Sequence, residues 1–175
     1  MNDVNRRANG RRSHIAGDTF ENIINGSCRY YRDKGAAIIE KTPEPMRPLK
    51  QYGRAGQFIA CFEKQAQPDY KGVLCDGTAI IFEAKHTDAD RIQESVITET
   101  QRRNFDDFQR MGAQCFVMVS MKFRDFYRVP WEVFGNMKPR FGRKYMTGKE
   151  LEPYRLKEQK GTVLILEGVE LHESK

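Results

Sequence analysis

Thirteen residues separate Asp69 from Glu83, and the chain between them is written as a hairpin. Val73-Leu74-Cys75 and the apolar run Ala79-Ile80-Ile81-Phe82 flank Asp76-Gly77. An Asp-Gly pair between two β-type runs favours a two-residue type I′ turn, whose central positions both need positive φ. Side chains alternate faces along a strand, so Glu83 and Lys85 project from one side of the second run, and Ile80, Phe82 and Ala84 from the other. Counting outward from Cys75 opposite Thr78 sets Tyr70 opposite Glu83 and Asp69 opposite Ala84, the right height but the wrong face for Asp69 to join Glu83. One extra residue corrects this. The sequence therefore predicts an irregularity between Asp69 and Cys75, with Gly72 the natural place for a bulge and Pro68, which lacks an N–H, suited to the start of the strand.

Two carboxylates and an ammonium gathered in this way point to metal-dependent cleavage of a phosphodiester. Carboxylates about 4 Å apart repel by roughly 4 kcal/mol at an effective dielectric near 20, so Asp69 and Glu83 need a cation between them or a raised pKa. Mg2+ (or Mn2+) suits them, because hard ions take oxygen ligands, keep several waters and neutralise phosphate charge. Lys85 is then placed to stabilise charge developing on the phosphate. The plainer alternative is a surface Glu-Lys pair at a strand end; the preceding Pro68-Asp69 and the apolar lead into Glu83 weigh against it.

These residues resemble the PD-(D/E)xK nuclease superfamily and, within it, the RecU-type Holliday junction resolvases. The resemblance begins at Gly17-Asp18-Thr19-Phe20-Glu21 and Tyr30-Tyr31, and continues through Lys41-Thr42-Pro43-Glu44-Pro45 and Phe62 to Gly72. It then takes in Phe82-Glu83-Ala84-Lys85-His86-Thr87 and Gln101. It implies a homodimeric, magnesium-dependent endonuclease cutting four-way DNA junctions, with Asp69, Glu83 and Lys85 as catalytic residues and recombination proteins as further partners. The implied fold is α/β, a restriction-endonuclease-like mixed central sheet flanked by helices, with a protruding stalk-like insertion at about residues 43–64. The family usually carries Ser or Thr just before the aspartate, where this chain has Gln67-Pro68, and His-Gln where this chain has Thr100-Gln101.

Gln101 sits within an apolar stripe, Ile97, Phe105, Phe108 and Met111, on a helix expected over 95–111. A glutamine there needs partners: backbone groups in the plain reading, the active site and its metal in the reading the resemblance implies. Glu21 flanks the stripe Phe20, Ile23, Ile24, Cys28 and Tyr31 of a helix capped near Gly17-Asp18. The resemblance adds Glu21 to the catalytic set beside Gln101, and Gln101 to the metal ligands.

The balance of 30 Lys plus Arg against 24 Asp plus Glu, a net charge of +6, favours a polyanionic partner. Arg6, Arg7, Arg11 and Arg12 crowd a polar stretch, read as a flexible basic arm over 1–16 ahead of a single nuclease domain over 17–175. Lys138, Arg140, Arg143, Lys144 and Lys149 are interleaved with Phe141 and Tyr145, offering phosphate contacts beside stacking surfaces. Pro43 to Arg54 is proline-rich and basic, not ordinary strand or helix. By resemblance it is the stalk, with Arg47, Lys50, Tyr52 and Arg54 as DNA contacts and Phe58, Ala60 and Phe62 on the returning strand.

The rest reads as scaffold. Cys115 to Ser120 suits a buried central strand and Phe126 to Val129 its neighbour, while Val163 to Leu166 reads as an edge strand. At 175 residues the chain makes about one domain. Cys28, Cys61, Cys75 and Cys115 lack paired metal spacing and read as reduced core thiols, which argues against zinc. His14, His86 and His172 are scattered, and His86 follows Lys85. With no signal peptide or long apolar span, the chain is read as cytoplasmic and without a membrane partner. Two alternatives to junction resolution remain: a related nuclease cutting duplex DNA, and a catalytically silent DNA-recombination binding module.

Overall fold

The computed structural model describes residues 3–62 and 67–169, the side chains of residues 3–12 and of Phe62 excepted. A helix, α1 (Asp3–Asp33), is followed by β1 (Ala37–Lys41), β2 (Met46–Gln51), β3 (Phe58–Phe62), β4 (Tyr70–Leu74), β5 (Ala79–Thr87) and β6 (Arg91–Gln93). Then come α2 (Glu99–Arg110), β7 (Gln114–Met121), β8 (Asp125–Pro130), α3 (Trp131–Phe134), α4 (Met137–Phe141) and β9 (Tyr145–Thr147). Five strands form one sheet in the order β1-β4-β5-β7-β8. Only β5 and β7 run parallel, joined by the crossover through α2; the other neighbours are antiparallel. The expected fold, a mixed central sheet flanked by helices, is the one found.

Two apolar layers cover the sheet. On one face, Phe20, Ile24 and Cys28 of α1 pack on Ile39, Tyr70, Ile80, Phe82, Phe116 and Met118, with Tyr70, Phe82 and Phe116 stacked in a row 4.7 and 4.8 Å apart. On the other, Phe105 of α2 and Trp131, Val133 and Phe134 of α3 pack on Ile81, Cys115, Val117 and Val119. Strand β7 is buried on both faces from Cys115 to Met121, as its unbroken apolar run predicts. Tyr127 and Val129 of β8 lie beside it, also buried.

Several sequence expectations change. Helix α1 starts at Asp3, not at Gly17-Asp18, so the backbone expected to be a flexible arm over 1–16 is helical from Asp3 onward. Glycine at 17 weakens a helix without ending it, by about 1 kcal/mol against alanine, and Arg is a good helix former. Arg6, Arg7, Arg11 and Arg12 fall outside the described side chains. Helix α2 is shorter than expected: Ile97 precedes it, buried, and Met111 follows it, 82% exposed. The proline-rich segment is a strand after all. β2 pairs with β3 in a separate exposed two-stranded ribbon, with a register shift between Pro48 and Lys50. Proline is tolerated there because such a ribbon is all edge and the bulge absorbs the lost donor. Val163 pairs with Glu158 in a small ribbon of its own, and Ile165 and Leu166 turn in against α1 instead of extending the sheet. The four cysteines are free, but only Cys28 and Cys115 are buried; Cys75 sits exposed in a turn.

Candidate active site at the start of β4

The hairpin that carries the two carboxylates does not turn as an Asp-Gly pair alone. The Gly77 N–H donates to the Leu74 carbonyl at 2.9 Å, and the Leu74 N–H to the Thr78 carbonyl at 2.9 Å, closing a three-residue loop, Cys75-Asp76-Gly77. Gly77 has φ +87°, and the Asp76 carboxylate accepts from the Thr78 N–H at 2.8 Å. This is a type I turn followed by a left-handed glycine, the three-residue hairpin solution. The extra residue demanded by the sequence is therefore in the turn. The irregularity expected between Asp69 and Cys75 is absent, and the ladder from Tyr70 to Val73 is regular, Tyr70 facing Phe82 and Val73 facing Ala79.

Gly72 has a different duty from a bulge. It lies between Ile39 and Ile80, and a Cβ on it would stand 2.2 Å from the Ile38 carbonyl oxygen and 2.7 Å from Ile39 Cα, so β1 closes on β4 only over glycine.

Continued one step past Tyr70, this register brings Asp69 beside Glu83 on the α2 face. The Asp69 N–H donates to Glu83 Oε2 at 3.0 Å and the Ala84 N–H to Asp69 Oδ2 at 3.0 Å, so each carboxylate is tied to the opposite strand. Lys85, one pleat further along the same face, donates to Glu83 Oε1 at 2.8 Å and stands 3.9 Å from Asp69 Oδ2. β4 ends here while β5 runs on beside β7 to Thr87, which leaves a notch at the sheet's edge.

Glu83 is fully buried. Burial first, and the Asp69 charge with it, push its carboxyl up to about 7, against the pull of Lys85 and of the Asp69 N–H. Gln101 enters from α2. Its Nε2 donates to Glu83 Oε1, while its Oε1 accepts from the Thr98 N–H and hydroxyl, both at 3.0 Å. It thus completes a capping box, so the glutamine that orients Glu83 also starts the helix it comes from.

Glu21 reaches the neighbourhood from α1, paired with Lys41 at 2.5 Å at the end of β1. Burial works against the charge on Lys41. The hydrogen bond and charge of Glu21, helped by Asp69 and Glu44, outweigh it and hold the Lys41 pKa above its usual value. Tyr70, whose phenol burial pushes up, donates to Asn25 Oδ1 at 3.0 Å and so fixes α1 over the base of the site. Lys41 and Thr42 have no role legible in the sequence beyond their share in the resemblance. Their signal was position, immediately before the proline-rich insertion.

A cavity of about 190 Å³ opens beside Asp69, lined by Thr42, Pro43, Glu44, Pro45, Gln67, Pro68 and Gln101. The donors at and behind it suit a hard divalent ion: Asp69 and Glu44 line it with two amides and a hydroxyl, and buried Glu83 is tied to Asp69 behind it. Among the described residues no cluster of three or more His, Cys, Asp or Glu side chains is gathered. An ion here would therefore rest on Asp69 and Glu83, with neutral oxygens and water completing its shell.

The expected DNA-binding residues divide. Arg47, Lys50, Tyr52 and Arg54 are exposed on the β2–β3 ribbon and its turn, and Lys138, Arg140 and Lys144 on and after α4. Arg143 is drawn into the scaffold, 2.6 Å from Glu150, and stacks with Arg91 on Tyr145, each guanidinium 4.9 Å from the ring centre. Phe141 packs on the core. The stacking surfaces expected of Phe141 and Tyr145 are thus already covered, because the cations between them pair within the protein. His86 is partnered too, with Ser120 and Asp88 at 3.1 Å and the Phe123 ring at 3.8 Å.

Known proteins resemble this chain in both sequence and structure. Relatives named Holliday junction resolvase RecU include those of Streptococcus gordonii, 33% identical over 111 residues (59% of this chain, 54% of the relative), and Geobacillus sp., 29% over 147 residues (79% and 73%). The chain spans about half the length of the first of these relatives. The solved structure of Archaeoglobus fulgidus Hjc, a Holliday junction resolvase, matches over 79% of this chain and 93% of its own at a TM-score of 0.47 and 13% identity. The model of one family, described as RecU, Recombination protein U, matches residues 15–170. Across nearly its whole length, therefore, the chain belongs to the RecU family.

Proposed function

We propose that the chain is a structure-selective endonuclease that resolves four-way DNA junctions by divalent-metal-dependent phosphodiester hydrolysis, as a homodimer. The observation that carries the reading is the meeting of Asp69, Glu83, Lys85 and Gln101 at one notch of the sheet, in a family whose relatives carry that name. Asp69 and Glu83 would hold Mg2+ (or Mn2+). When bound, the ion supplies positive charge at the phosphate and a site for the attacking water.

The chain's own groups do the rest. The cross-strand bonds of Asp69 and Glu83 fix the spacing of the carboxylates, and Gln101 keeps Glu83 turned into the site. Lys85 sets an ammonium where charge develops on the phosphate. Glu21 pairs with Lys41, which precedes Thr42 of the pocket and feels the charges of Asp69 and Glu44. The basic faces at Arg47, Lys50, Tyr52 and Arg54, and at Lys138, Arg140 and Lys144, supply backbone contacts to DNA. The ribbon favours a branched substrate over plain duplex, because it presents a narrow, basic projection that a continuous duplex leaves unused.

The test is cutting of a labelled four-way junction, a matched linear duplex and a single strand, with and without Mg2+. Paired, symmetric nicks on the junction alone are expected. Cutting of the duplex would support the second reading, a duplex endonuclease of the same superfamily, and binding without cutting a silent recombination module. Asp69→Asn should lower cutting on the order of 10³-fold with junction binding largely kept. Equal loss of both would make Asp69 structural.

A further inference from the structure

The cavity beside Asp69 is lined by three neutral side-chain oxygens, those of Gln67, Gln101 and Thr42, and they are not equivalent. Gln67 Oε1 accepts from Lys71 Nζ at 2.8 Å. Gln101 Oε1 is held by Thr98 in the capping box. Thr42 Oγ1 is buried and has no hydrogen-bond partner. A buried hydroxyl, one donor with two lone pairs, is nearly always partnered in a folded protein, so an orphan of this kind needs an explanation.

Its surroundings give one. The Thr42 N–H donates to the Asp69 carbonyl at 2.8 Å, which pins residue 42 alongside the first carboxylate. Pro43 follows at once and restricts Thr42 to extended backbone, so the hydroxyl has little freedom to move away. Hard divalent ions take neutral oxygens readily once carboxylates have met most of the charge.

We propose that the Thr42 hydroxyl completes the divalent-ion site built on Asp69 and Glu83, as a direct ligand, in place of any oxygen from position 67. The proposal rests on the reading of Asp69 and Glu83 as the ion site and adds a ligand from β1's end, in the segment that leads into the ribbon. Gln67 is left as a partner of Lys71, which in turn lies 5.6 Å over the Phe108 ring.

The experiment titrates Mn2+ into the intact, metal-free protein and follows bound ion by electron paramagnetic resonance, beside thermal melting without metal. Thr42→Val should weaken Mn2+ binding on the order of 10-fold. In the same variant the metal-free melting temperature should hold or rise, because a shape-matched methyl replaces an unpartnered hydroxyl. Thr42→Ser should bind as the parent does. Thr42→Cys should shift preference from Mg2+ toward Cd2+, since a thiol favours soft ions, and it decides the matter if the valine variant fails to fold. Unchanged Mn2+ affinity in Thr42→Val, or no gain for Cd2+ in Thr42→Cys, overturns the proposal. Asp69→Asn separates this from the broader reading: if it binds Mn2+ as the parent does, the ion site itself is misplaced, whereas its loss of binding beside an unaffected Thr42→Val removes Thr42 alone.

Discussion

The chain makes two antiparallel hairpins, β2–β3 and β4–β5, and each carries one residue more than a regular ladder allows, yet the two extra residues have very different weight. In β4–β5 the surplus lies in the turn, at Cys75-Asp76-Gly77, and it decides which face every side chain of β4 occupies. In β2–β3 it lies mid-strand, between Pro48 and Lys50, in a ribbon exposed along its described length. A slip of one residue in β4 would swing Tyr70 and Leu74, both buried, to the opposite face; the same slip in the ribbon would exchange one exposed side chain for another. Register is strict where one face is buried and loose where neither is.

Deleting Thr78 attacks the strict member of the pair and should have the largest effect. The Cys75-Asp76-Gly77 turn then closes with Leu74 opposite Ala79 and sets Asp69 opposite Ala84, on the far face from Glu83. Cutting should fall on the order of 10³-fold. Stability should fall by about 3 to 5 kcal/mol as two large side chains lose their burial. Urea unfolding and a junction-cutting assay read both; a deletion variant that still cuts would show that the turn does not align the carboxylates.

The burial that fixes this register also sets a pH response. Glu83 binds its proton more tightly folded, at about 7, than at its ordinary 4.5. Its contribution to the stability of the metal-free protein is thus full below about 4.5 and is lost as pH rises through about 7. Saturating Mg2+ should flatten that decline, because an ion favours the charged carboxylate. Denaturant melts across that window, with and without Mg2+, check it; a decline of the same size in Glu83→Gln would assign it to other groups.

The loose member should give the smallest effect. Removing Leu49 makes the ribbon's ladder regular and should change stability by less than about 0.5 kcal/mol, measured by the same melts. A loss of several kcal/mol would mean that the ribbon is held by packing as strict as that of β4–β5.

The same contrast explains what the sequence disclosed. Asp69, Glu83, Lys85 and Gln101 were legible because the chemistry dictates their types, and an alternating apolar strand dictates the spacing of two of them. The turn was misjudged because Asp-Gly suits both a two-residue turn and the end of a three-residue one with a left-handed glycine. The signal that separates the two was present in Tyr70-x-Gly72-x-Leu74, whose large residues must share the face of Ile80 and Phe82. The ribbon's outgoing strand was hidden by Pro48, which counts against a strand everywhere except at an edge, while the alternation of Phe58, Ala60 and Phe62 disclosed the returning one. The fate of Arg143 and Tyr145 was not legible, because Arg91 reaches Tyr145 from a distant part of the chain and Glu150 meets Arg143 only across the intervening β9. Nor was Thr42, whose importance lies in a partner its hydroxyl lacks.

Both roots of the ribbon line one pocket: Thr42 to Pro45 lead out of it, and Gln67 to Asp69 lead back in, with prolines at 43, 45 and 68 stiffening the passage. Under the proposed function, the projection and the cutting centre are two ends of a single measuring rod. A branch point seated on the tip would lie at a set distance from the bond that breaks. Lengthening the ribbon by a pair of residues on each strand should move the nick along the arm without altering the chemistry that makes it.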